Sequence, residues 1–465
     1  MQGGGRATGP PVPFGIYAGR PVVVERAPYI PTEGPIMTDM KLESLAVHGG
    51  TAPDPATNAR ITPIYQTASY VFDDAEHAAD LFALKQFGNI YSRIMNPTND
   101  VLEKKIAAME GGVGALGLAS GHAAQLVAFH TLMEPGCNIV AAKKLYGGSL
   151  NQMGEAFRKF GWETRFVDAD DPENVRAAMD EKTRCVFVES LANPGGVVTD
   201  LEAIAKIAHE GGVPLIVDNT MATPMLCRPF EHGADIVTHS TTKFLNGHGN
   251  AVGGVIVDSG RFDWKAQGSK FPSLTEPNGS YHGAVLVDAL EPIGPIAFIT
   301  ACRVLGLRDL GPAMAPQNAW LALTGMETLA LRMERHCDNA LAVAKWLQGH
   351  EKIEWVSYAG LDDNSYKPLA DKYLGGKGGA VFTFGVKGGY EAGVKLVSNV
   401  EMFSHLANIG DTRSLIIHPA STTHSQLGET ELVAAGAGPD VVRISVGIEH
   451  VGDIIADLEQ GLAKI

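Results

Sequence analysis

The sequence predicts an α/β fold with a large first domain and a smaller C-terminal domain. From about residue 110 to about residue 260, short apolar segments rich in β-branched residues alternate with helical patterns. Near-continuous apolar strands between helices are typical of a sheet that is covered on both faces. A long helical pattern follows, and the chain beyond it again contains strands and a final helix. The length of 465 residues also suits two or three domains.

The predicted elements of the large domain follow from local patterns. Helices are predicted where apolar residues recur on one side, and the two glycines Gly211 and Gly212 end one of them. These helices are Asn99–Glu110, Ala123–Leu132 and Leu201–Glu210. Short apolar runs predict the strands Asn138–Ala142, Cys185–Glu189, Pro214–Asp218, Asp235–Thr238 and Ala251–Val257.

The C-terminal part has a pattern of its own. One long helix is predicted over Gln317–Gln348, strands over Ala380–Phe384 and Val441–Val446, and a last helix over Val451–Ala463. Together the patterns predict four regions. These are a flexible Gly- and Pro-rich extension over 1–40, an arm with short helices over 41–98, the large domain over 99–315 and the C-terminal domain over 316–465.

Composition excludes several classes of function. A net charge of −15 argues against nucleic acid as a partner. Polar residues and prolines interrupt the most apolar stretch, 284–305, so no membrane span is expected. Five scattered cysteines without a CxxC pair suit a reducing cytoplasm. His418 and His424 lie close in sequence, but no carboxylate or thiol completes a metal site around them.

One lysine stands in an unusual setting. Lys243 lies among hydroxyls and glycines in the run Ser240–Gly249, and Asp218 ends an apolar strand upstream. A lysine that forms a Schiff base with pyridoxal 5'-phosphate (PLP) needs such surroundings: close backbone, hydroxyls for a phosphate and an acid for the pyridinium nitrogen. Ser240 and Thr242 are the candidate hydroxyls. The sequence therefore predicts Lys243 as the lysine that binds PLP and Asp218 as its acid.

Two further segments predict contacts with the phosphate. Ser120, Gly121 and His122 follow a glycine-rich turn and open an apolar helix, and a helix start binds anions through its free N–H groups. Tyr91 and Arg93 lie two residues apart in the arm, so on an extended segment they point the same way and could clamp a phosphate.

Arg443 is an arginine within an apolar strand, where a buried guanidinium should meet a carboxylate. Tyr146, in the run Leu145–Ser149, is the candidate for a planar group over the cofactor ring.

These motifs, in this order, resemble the PLP-dependent enzymes of the cystathionine γ-synthase family over about Leu42 to Ile465. The resemblance implies the fold type I of PLP-dependent transferases, with a mixed, mostly parallel sheet in the large domain. It implies that Tyr146 stacks on the ring and assists proton transfer, and that Arg443 binds the substrate α-carboxylate. Asn193 and Ser414 match positions that assist with that carboxylate or the ring oxygen. Arg413 is an alternative candidate to Arg443 for binding the substrate α-carboxylate.

The resemblance also implies an assembly. In the family the tyrosine and arginine that match Tyr91 and Arg93 reach the phosphate site of the neighbouring subunit. A dimeric active-site unit, commonly paired into a tetramer, is therefore expected. The simple alternative is that both residues pack within the arm of their own chain.

Within the family the resemblance is closest to the O-acetylhomoserine sulfhydrylase branch, because of the run Asn246–Asn250 and a longer insert over 262–283. The expected reaction is a γ-replacement that converts O-acetyl-L-homoserine and sulfide, or methanethiol, to homocysteine, or methionine, and acetate. Cystathionine γ-synthase and cystathionine or methionine γ-lyase remain alternatives. Methionine γ-lyases, however, usually carry cysteine where Gly148 stands. The alternative from another functional class is a protein that binds PLP but catalyses no reaction and acts as a partner or regulator.

Overall fold

The computed structural model describes residues 40–465 except 84, 194–195, 424, 426–427, 429–431 and 433–435. The predicted N-terminal extension, apart from Met40, and His424 lie outside the described residues. The strands, in chain order, are β1 Gly114–Leu118, β2 Asn138–Ala142, β3 Glu163–Val167, β4 Thr183–Glu189, β5 Leu191–Ala192, β6 Val197–Val198, β7 Leu215–Asp218, β8 Ile236–Ser240, β9 Gly254–Asp258, β10 Ile353–Ser357, β11 Val381–Val386, β12 Ser404–His405, β13 Leu415–Ile417 and β14 Val441–Ser445.

The helices connect these strands and cover the sheets. In chain order they are α1 Leu42–His48, α2 Ala75–Phe82, α3 Pro97–Glu110, α4 Gly121–Leu132, α5 Gly147–Asn151, α6 Pro172–Ala178, α7 Leu201–Glu210, α8 Thr223–Leu226, α9 Pro272–Thr275, α10 Leu286–Ala289, α11 Ala297–Ala301, α12 Arg308–Leu310, α13 Pro316–Met326, α14 Leu329–Gln348, α15 Lys367–Tyr373, α16 Gly389–Asn399 and α17 Val451–Leu462. Two π-helical turns, Gln152–Ala156 and Cys302–Leu307, continue α5 and α11. Single 3-10 turns lie at Phe157–Phe160, Pro229–His232, Gly268–Lys270, Gly279–Tyr281, Glu291–Ile293 and Pro419–Ser421.

The larger sheet has seven strands in the order β1-β9-β8-β7-β4-β2-β3. The pairs from β8 to β3 are parallel, and β9 runs antiparallel to both of its neighbours. Except for β3, whose residues are half-buried or exposed, the strands are buried along most of their length because helices cover the sheet. Their apolar residues are therefore continuous rather than alternating. The predicted mixed, mostly parallel sheet is confirmed.

The smaller sheet has five strands in the order β10-β11-β14-β13-β12. It packs against α16 and α17, and a separate cluster of buried side chains such as Phe382, Ile444 and Leu458 lies between them. Helix α14 contributes to both cores. Leu329 and Met333 belong to the cluster of the large sheet, whereas Val343 and Leu347 belong to that of the small sheet. The predicted domain boundaries themselves stay a prediction.

The structure differs from the predicted elements at several places, among them β1, β3 and the long helix before the C-terminal domain. Strand β1 was not predicted because its sequence, GALGL, contains two glycines, and β3 was not predicted because its residues are largely polar. The helix predicted over Gln317–Gln348 is two helices that meet at Glu327 and Thr328. There the Gly325 carbonyl accepts hydrogen bonds from the Thr328 backbone (3.3 Å) and from the Arg332 guanidinium (2.6 Å). These donors replace a regular helical bond at the break.

Among the described residues no single helix has both the length and the apolar character needed to cross a membrane. The segments Leu286–Ile293 and Ala297–Leu310 meet the requirements of length and composition when taken together, but they are bent by 119° at the break between them.

A buried lysine attaches the first helix of the arm to the large domain. Lys105 on α3 is fully buried, and its ammonium donates to the carbonyls of Ala46 (2.8 Å) and Val47 (2.9 Å) near the end of α1. Burial lowers the pKa of Lys105 to about 8. The last carbonyls of a helix have no partner within it, so Lys105 satisfies two acceptors that would otherwise be unpaired.

We predict that Lys105→Met loosens α1. Loss of both donors leaves buried carbonyls unpaired, which should lower the free energy of local opening of α1 by about 2 kcal/mol. Hydrogen exchange of the α1 amides measures this change. Lys104→Met is the matched control because Lys104 precedes Lys105 and its side chain is 48% exposed. Equal protection in the two variants would contradict the assignment.

Candidate active site

Three parallel strands of the large sheet end side by side. Glu189 ends β4, Asp218 ends β7 and Ser240 ends β8, and Glu189 pairs with Asp218 in register across the first two strands. The chain continues from Ser240 into the turn that carries Lys243. Carboxyl ends of neighbouring parallel strands share one edge of the sheet, which is where α/β folds form their binding crevices. The sheet itself thus brings the predicted acid and the predicted lysine together.

A cavity of about 240 Å³ lies at this edge. Most of the residues predicted for the site line it: Ser120, Gly121, His122, Tyr146, Asn193, Asp218, Ser240, Thr242, Lys243 and Arg443. Gln125, Ser149, Glu189, Leu191, Thr220, Met221, Val252, Ala407, Asn408 and Ile409 complete the lining. Tyr91, Arg93 and Ser414 are predicted site residues that do not reach the cavity in this chain.

The start of α4 forms one wall of the cavity. Ser120 is the N-cap, and its hydroxyl accepts a hydrogen bond from Ala123 N (3.1 Å). The first N–H groups of a helix have no acceptor within the helix, and here Gly121 and His122 line the cavity. A β-carbon on Gly121 would lie 2.9 Å from the Ser240 β-carbon. The glycine therefore permits a close approach of the helix start to the hydroxyl of Ser240, as a phosphate cradle requires.

Asp218 is held by three donors. Its Oδ1 accepts from Thr220 N (3.0 Å), and its Oδ2 accepts from Gln125 Nε2 (3.3 Å) and Thr238 Oγ1 (3.4 Å). Gln125 is buried, and its own Oε1 has no hydrogen-bond partner among the described residues. These donors fix the direction of the carboxyl group. The arrangement suits an acid that faces a protonated ring nitrogen.

Lys243 lies opposite in a half-buried position. Its ammonium donates to Asn408 Oδ1. Burial and, to a smaller extent, the positive charge of Arg443 together lower the pKa of Lys243 to about 8. A lysine with a lowered pKa is a better nucleophile and base near neutral pH than an exposed lysine.

Tyr146 stands at the mouth of the cavity and is 46% exposed. Its ring meets His122 edge to face, with ring centroids 5.9 Å apart. A β-carbon at Gly148 would lie 2.4 Å from Tyr146 Cε1 and 2.9 Å from His122 Cε1. This position of the two rings therefore requires glycine at 148. The backbone N–H of Tyr146 donates to Glu189 Oε1 (2.7 Å).

Glu189 is a cavity residue that the sequence analysis did not single out. It is 5% exposed, and its Oε2 accepts from Asn193 N (3.1 Å), so one carboxyl group holds both Tyr146 and Asn193. Burial and the neighbouring carboxylate of Asp218 together raise the pKa of Glu189 to about 8. The signal that could have found it is the one that found Asp218, a carboxylate at the end of an apolar strand.

Arg443 contributes a cation to the cavity. It donates to Asn193 Oδ1 (3.3 Å) and to the Asn408 carbonyl (3.3 Å), and no carboxylate lies within ion-pair distance of it among the described residues. Burial lowers its pKa to about 10. A half-buried guanidinium that lacks a counterion in the described part of the chain is suited to bind a carboxylate from outside.

Three predicted residues lie elsewhere. Ser414 is fully buried, where its hydroxyl bonds Glu449 Oε2 (3.0 Å) and accepts from Gly447 N (2.9 Å). Tyr91 is 43% exposed on the arm, and Arg93 donates to the Arg308 carbonyl. The alternative candidate Arg413 pairs with Asp411 and is 67% exposed, outside the cavity.

Asn408 and Gln125 were also not predicted. Asn408 comes from a loop far along the chain, and no local pattern marks it. Gln125 is a polar residue inside an apolar helix, which is a weak signal on its own.

The residues present fit PLP. A helix start with Ser120, Gly121 and His122, together with Ser240 and Thr242, supplies donors for a phosphate; Asp218 supplies the acid and Lys243 the amine. A β-carbon on Gly121 would collide with Ser240, so the glycine allows the two sides of the phosphate cradle to approach each other.

Comparisons with known proteins agree with this geometry. A family described as Cys/Met metabolism PLP-dependent enzymes matches residues 43–463. The O-acetyl-L-homoserine sulfhydrylase of Leptospira meyeri is 53% identical over 92% of this chain and 98% of its own length. The homocysteine synthase of Schizosaccharomyces pombe is 50% identical over 90% of this chain and 97% of its own length.

A solved structure is also similar. It is a Campylobacter jejuni chain described as an O-acetylhomoserine (thiol)-lyase, and it contains N'-pyridoxyl-lysine-5'-monophosphate. Its TM-score to this chain is 0.87 at 40% identity, over 91% of this chain and 100% of that one. The fold that the sequence resemblance implied is confirmed.

We predict that Lys243 is unusually reactive in the cofactor-free protein. With a pKa of about 8, roughly half of its amine is neutral at about pH 8, whereas a lysine at the ordinary 10.5 is almost fully charged. The rate of modification by an amine-selective reagent, followed by peptide mass spectrometry as a function of pH, should give a midpoint near 8.

The variant Arg443→Met should raise that midpoint, because a nearby positive charge has been removed. Arg413→Met is the matched control, since Arg413 is exposed and paired with Asp411. A pH midpoint near 10.5 in the protein without substitutions would contradict the buried environment assigned to Lys243.

Proposed function

The chain belongs to the family of PLP-dependent enzymes of Cys/Met metabolism, and on this basis we propose that it catalyses γ-replacement on O-acetyl-L-homoserine. Sulfide, or a small thiol such as methanethiol, replaces the acetyl ester at Cγ, which gives L-homocysteine, or methionine, and acetate. The observation that carries the proposal is the pairing of a PLP-type cavity with relatives about 50% identical that are named sulfhydrylases and homocysteine synthases.

The cofactor is PLP, which withdraws electrons from a bound amino acid so that protons at Cα and Cβ become acidic and a γ-substituent can leave. The chain supplies the remaining requirements. Lys243 is proposed to hold the cofactor covalently. When its amine is free, the lowered pKa leaves about half of it neutral at a pH near 8, so it can take a proton from Cα and return it.

Asp218 is proposed to face the ring nitrogen. Three donors, Thr220 N, Gln125 Nε2 and Thr238 Oγ1, fix the direction of its carboxyl group, and a carboxylate there would keep the ring nitrogen protonated. Gly121, His122, Ser240 and Thr242 are proposed to bind the phosphate, and Tyr146 to lie over the ring.

Arg443 is proposed to bind the substrate α-carboxylate, with Asn193 beside it. The guanidinium already lies against Asn193 Oδ1 and lacks an acidic partner among the described residues. An incoming carboxylate would neutralise it with a pair of charge-assisted hydrogen bonds. Such a clamp also fixes the direction of the Cα–H bond relative to Lys243.

We further propose that the working unit is a homo-oligomer in which Tyr91 and Arg93 reach the phosphate site of a second copy. Neither residue reaches the cavity of its own chain. The arm around them also exposes large apolar side chains, namely Ile61, Ile64, Val71, Phe82 and Phe87. A second copy would cover these side chains. Pairing into a tetramer and a location in the cytoplasm are parts of the same proposal.

The products distinguish the proposed sulfhydrylase from a synthase or a lyase. Purified protein with PLP and O-acetyl-L-homoserine should form homocysteine when sulfide is supplied, and little cystathionine when cysteine is supplied. Chromatography with mass detection identifies the products. Lys243→Ala is the control and should lose the reaction. Cystathionine as the main product would move the assignment to the synthase, and oxobutyrate without any thiol-dependent product would move it to a lyase.

If Arg93 of one copy completes the site of a second copy, mixed dimers of two inactive variants should recover activity. Lys243→Ala and Arg93→Ala should each be almost inactive alone. In a mixed dimer, however, one of the two sites would carry neither substitution. Co-expression of the two variants with different tags, followed by purification of the mixed species, should therefore restore about a quarter to a half of the activity per dimer. Mixed dimers that form but remain inactive would contradict the sharing of Arg93 between subunits.

A further inference from the structure

Helix α14 carries three buried polar side chains in one row. Arg332, His336 and Asn339 are spaced by four and three residues, so they lie on the same side of the helix. They are 4%, 0% and 4% exposed. We call this row the polar face of α14. It contributes nothing to the lining of the cavity as the described residues form it.

Arg332 binds the turn that carries Lys243. Its guanidinium donates to the carbonyls of Phe244 (2.7 Å) and Leu245 (3.4 Å), the two residues that follow Lys243. The same group donates to the Gly325 carbonyl (2.6 Å) and, through Nε, to Thr328 Oγ1 (3.2 Å). The guanidinium therefore ties the lysine turn to the break between α13 and α14.

The lysine turn packs closely against both Arg332 and the helix break. A β-carbon on Gly247, at the end of the turn, would lie 2.2 Å from Arg332 Nη1. A β-carbon on Gly325 would lie 2.0 Å from the Asn246 carbonyl oxygen. Both glycines are needed for the turn and the helices to approach this closely.

Arg332 has no carboxylate within ion-pair distance in the described part of the chain. A buried guanidinium without a counterion is costly to the folded state, and it is tolerated here because main-chain and hydroxyl oxygens receive its donors. Its hydrogen bonds to carbonyls concentrate on the two residues after Lys243 and on the helix break. That distribution indicates a role in fixing the position of the turn.

His336 and Asn339 bind the segment that follows Arg443. The His336 Nδ1–H donates to the Val446 carbonyl (2.7 Å), and its ring meets the Phe244 ring edge to face at 5.3 Å. Asn339 Nδ2 donates to the carbonyls of Gly447 (3.0 Å) and Glu449 (2.9 Å). The polar face thus holds the lysine turn at one end and the end of β14 at the other.

We propose that Arg332 and His336 are positioning residues that set the separation between Lys243 Nζ and the Arg443 guanidinium. This proposal rests on the function proposed above. The two groups act on substituents of one substrate carbon: Lys243 takes the proton from Cα, and Arg443 binds the carboxylate attached to Cα. Their separation must therefore match a fixed covalent geometry. Helix α14 is suited to set it because it packs in both buried cores.

The inference predicts different effects for the two ends of the row. Arg332→Lys keeps a positive charge but cannot reach two carbonyls in the same fork, so the lysine turn should shift. A shift of the reacting amine affects proton transfer more than binding. We expect kcat to fall by about 10- to 100-fold, with a change in KM for O-acetyl-L-homoserine of less than about threefold.

His336→Phe keeps a ring against Phe244 but removes the donor to Val446. The segment after Arg443 should then move, so we expect KM for O-acetyl-L-homoserine to rise by about 10-fold, with a smaller loss in kcat. A merely structural role would lower the fraction of folded protein and would not separate kcat from KM in this way.

A measurement without substrate makes the test independent of the proposed reaction. In the cofactor-free protein, Arg332→Lys should shift the pH midpoint of Lys243 modification from about 8 towards the ordinary value of 10.5, because a displaced turn exposes the amine to water. This midpoint is defined whatever the substrate is. A wrong product assignment and a wrong positioning role would therefore give different results.

Arg335→Lys is the matched control, because Arg335 lies on the exposed side of the same helix. It should leave the midpoint, kcat and KM unchanged. The proposal is overturned if Arg332→Lys, shown to be folded by its thermal unfolding transition, matches Arg335→Lys in the midpoint and in kcat. If Arg332→Lys does not fold, His336→Phe decides: an unchanged KM would overturn the proposal, and the expected rise would support it.

Discussion

The close packing of the α4 start on the ends of β8 and β9 is the constraint on which the site depends. A β-carbon on Gly254 would lie 2.1 Å from the Ser120 carbonyl oxygen, and one on Gly121 would lie 2.9 Å from the Ser240 β-carbon. Only glycine fits at either position. Because helix and strands meet this closely, the helix N–H groups and the Ser240 hydroxyl face one small volume, and the turn with Lys243 begins at its edge.

A buried polar network joins residues that lie next to the ends of β4, β7 and β8. His239 Nε2 and Glu110 Oε1 form a fully buried pair, and Asn219 Nδ2 donates to the same Glu110 oxygen (2.9 Å). Ser190 donates to Asn219 Oδ1 (2.7 Å). Residues 190 and 219 directly follow a cavity residue at the end of a strand, and residue 239 directly precedes one. These hydrogen bonds join the ends of three strands to α3, while Glu110 Oε2 and His239 Nδ1 have no hydrogen-bond partner among the described residues.

The sequence predicted the parts of the site that are local. Lys243 in its glycine- and hydroxyl-rich turn, Asp218 at a strand end and the helix start at Gly121 each carry their signal within a few residues. Long-range contacts were harder to predict. Asn408 reaches Lys243 across 165 residues without a marking pattern, and Ser414, expected at the cavity, is buried against Glu449. Helix α14 was predicted as part of one long helix because the segment at its break packs on the lysine turn, which lies far away in the sequence. A β-carbon on Gly325 would lie 2.0 Å from the Asn246 carbonyl oxygen.

The placement of the cysteines has a consequence for a protein proposed to work beside sulfide. All five are free and buried, and none is among the described residues that line the cavity. Burial raises the pKa of Cys185, Cys227, Cys302 and Cys337, so these sulfurs remain protonated thiols. A protonated, enclosed thiol is a poor nucleophile. The catalyst can therefore meet reactive sulfur species throughout its working life without offering them any of these four thiols to modify.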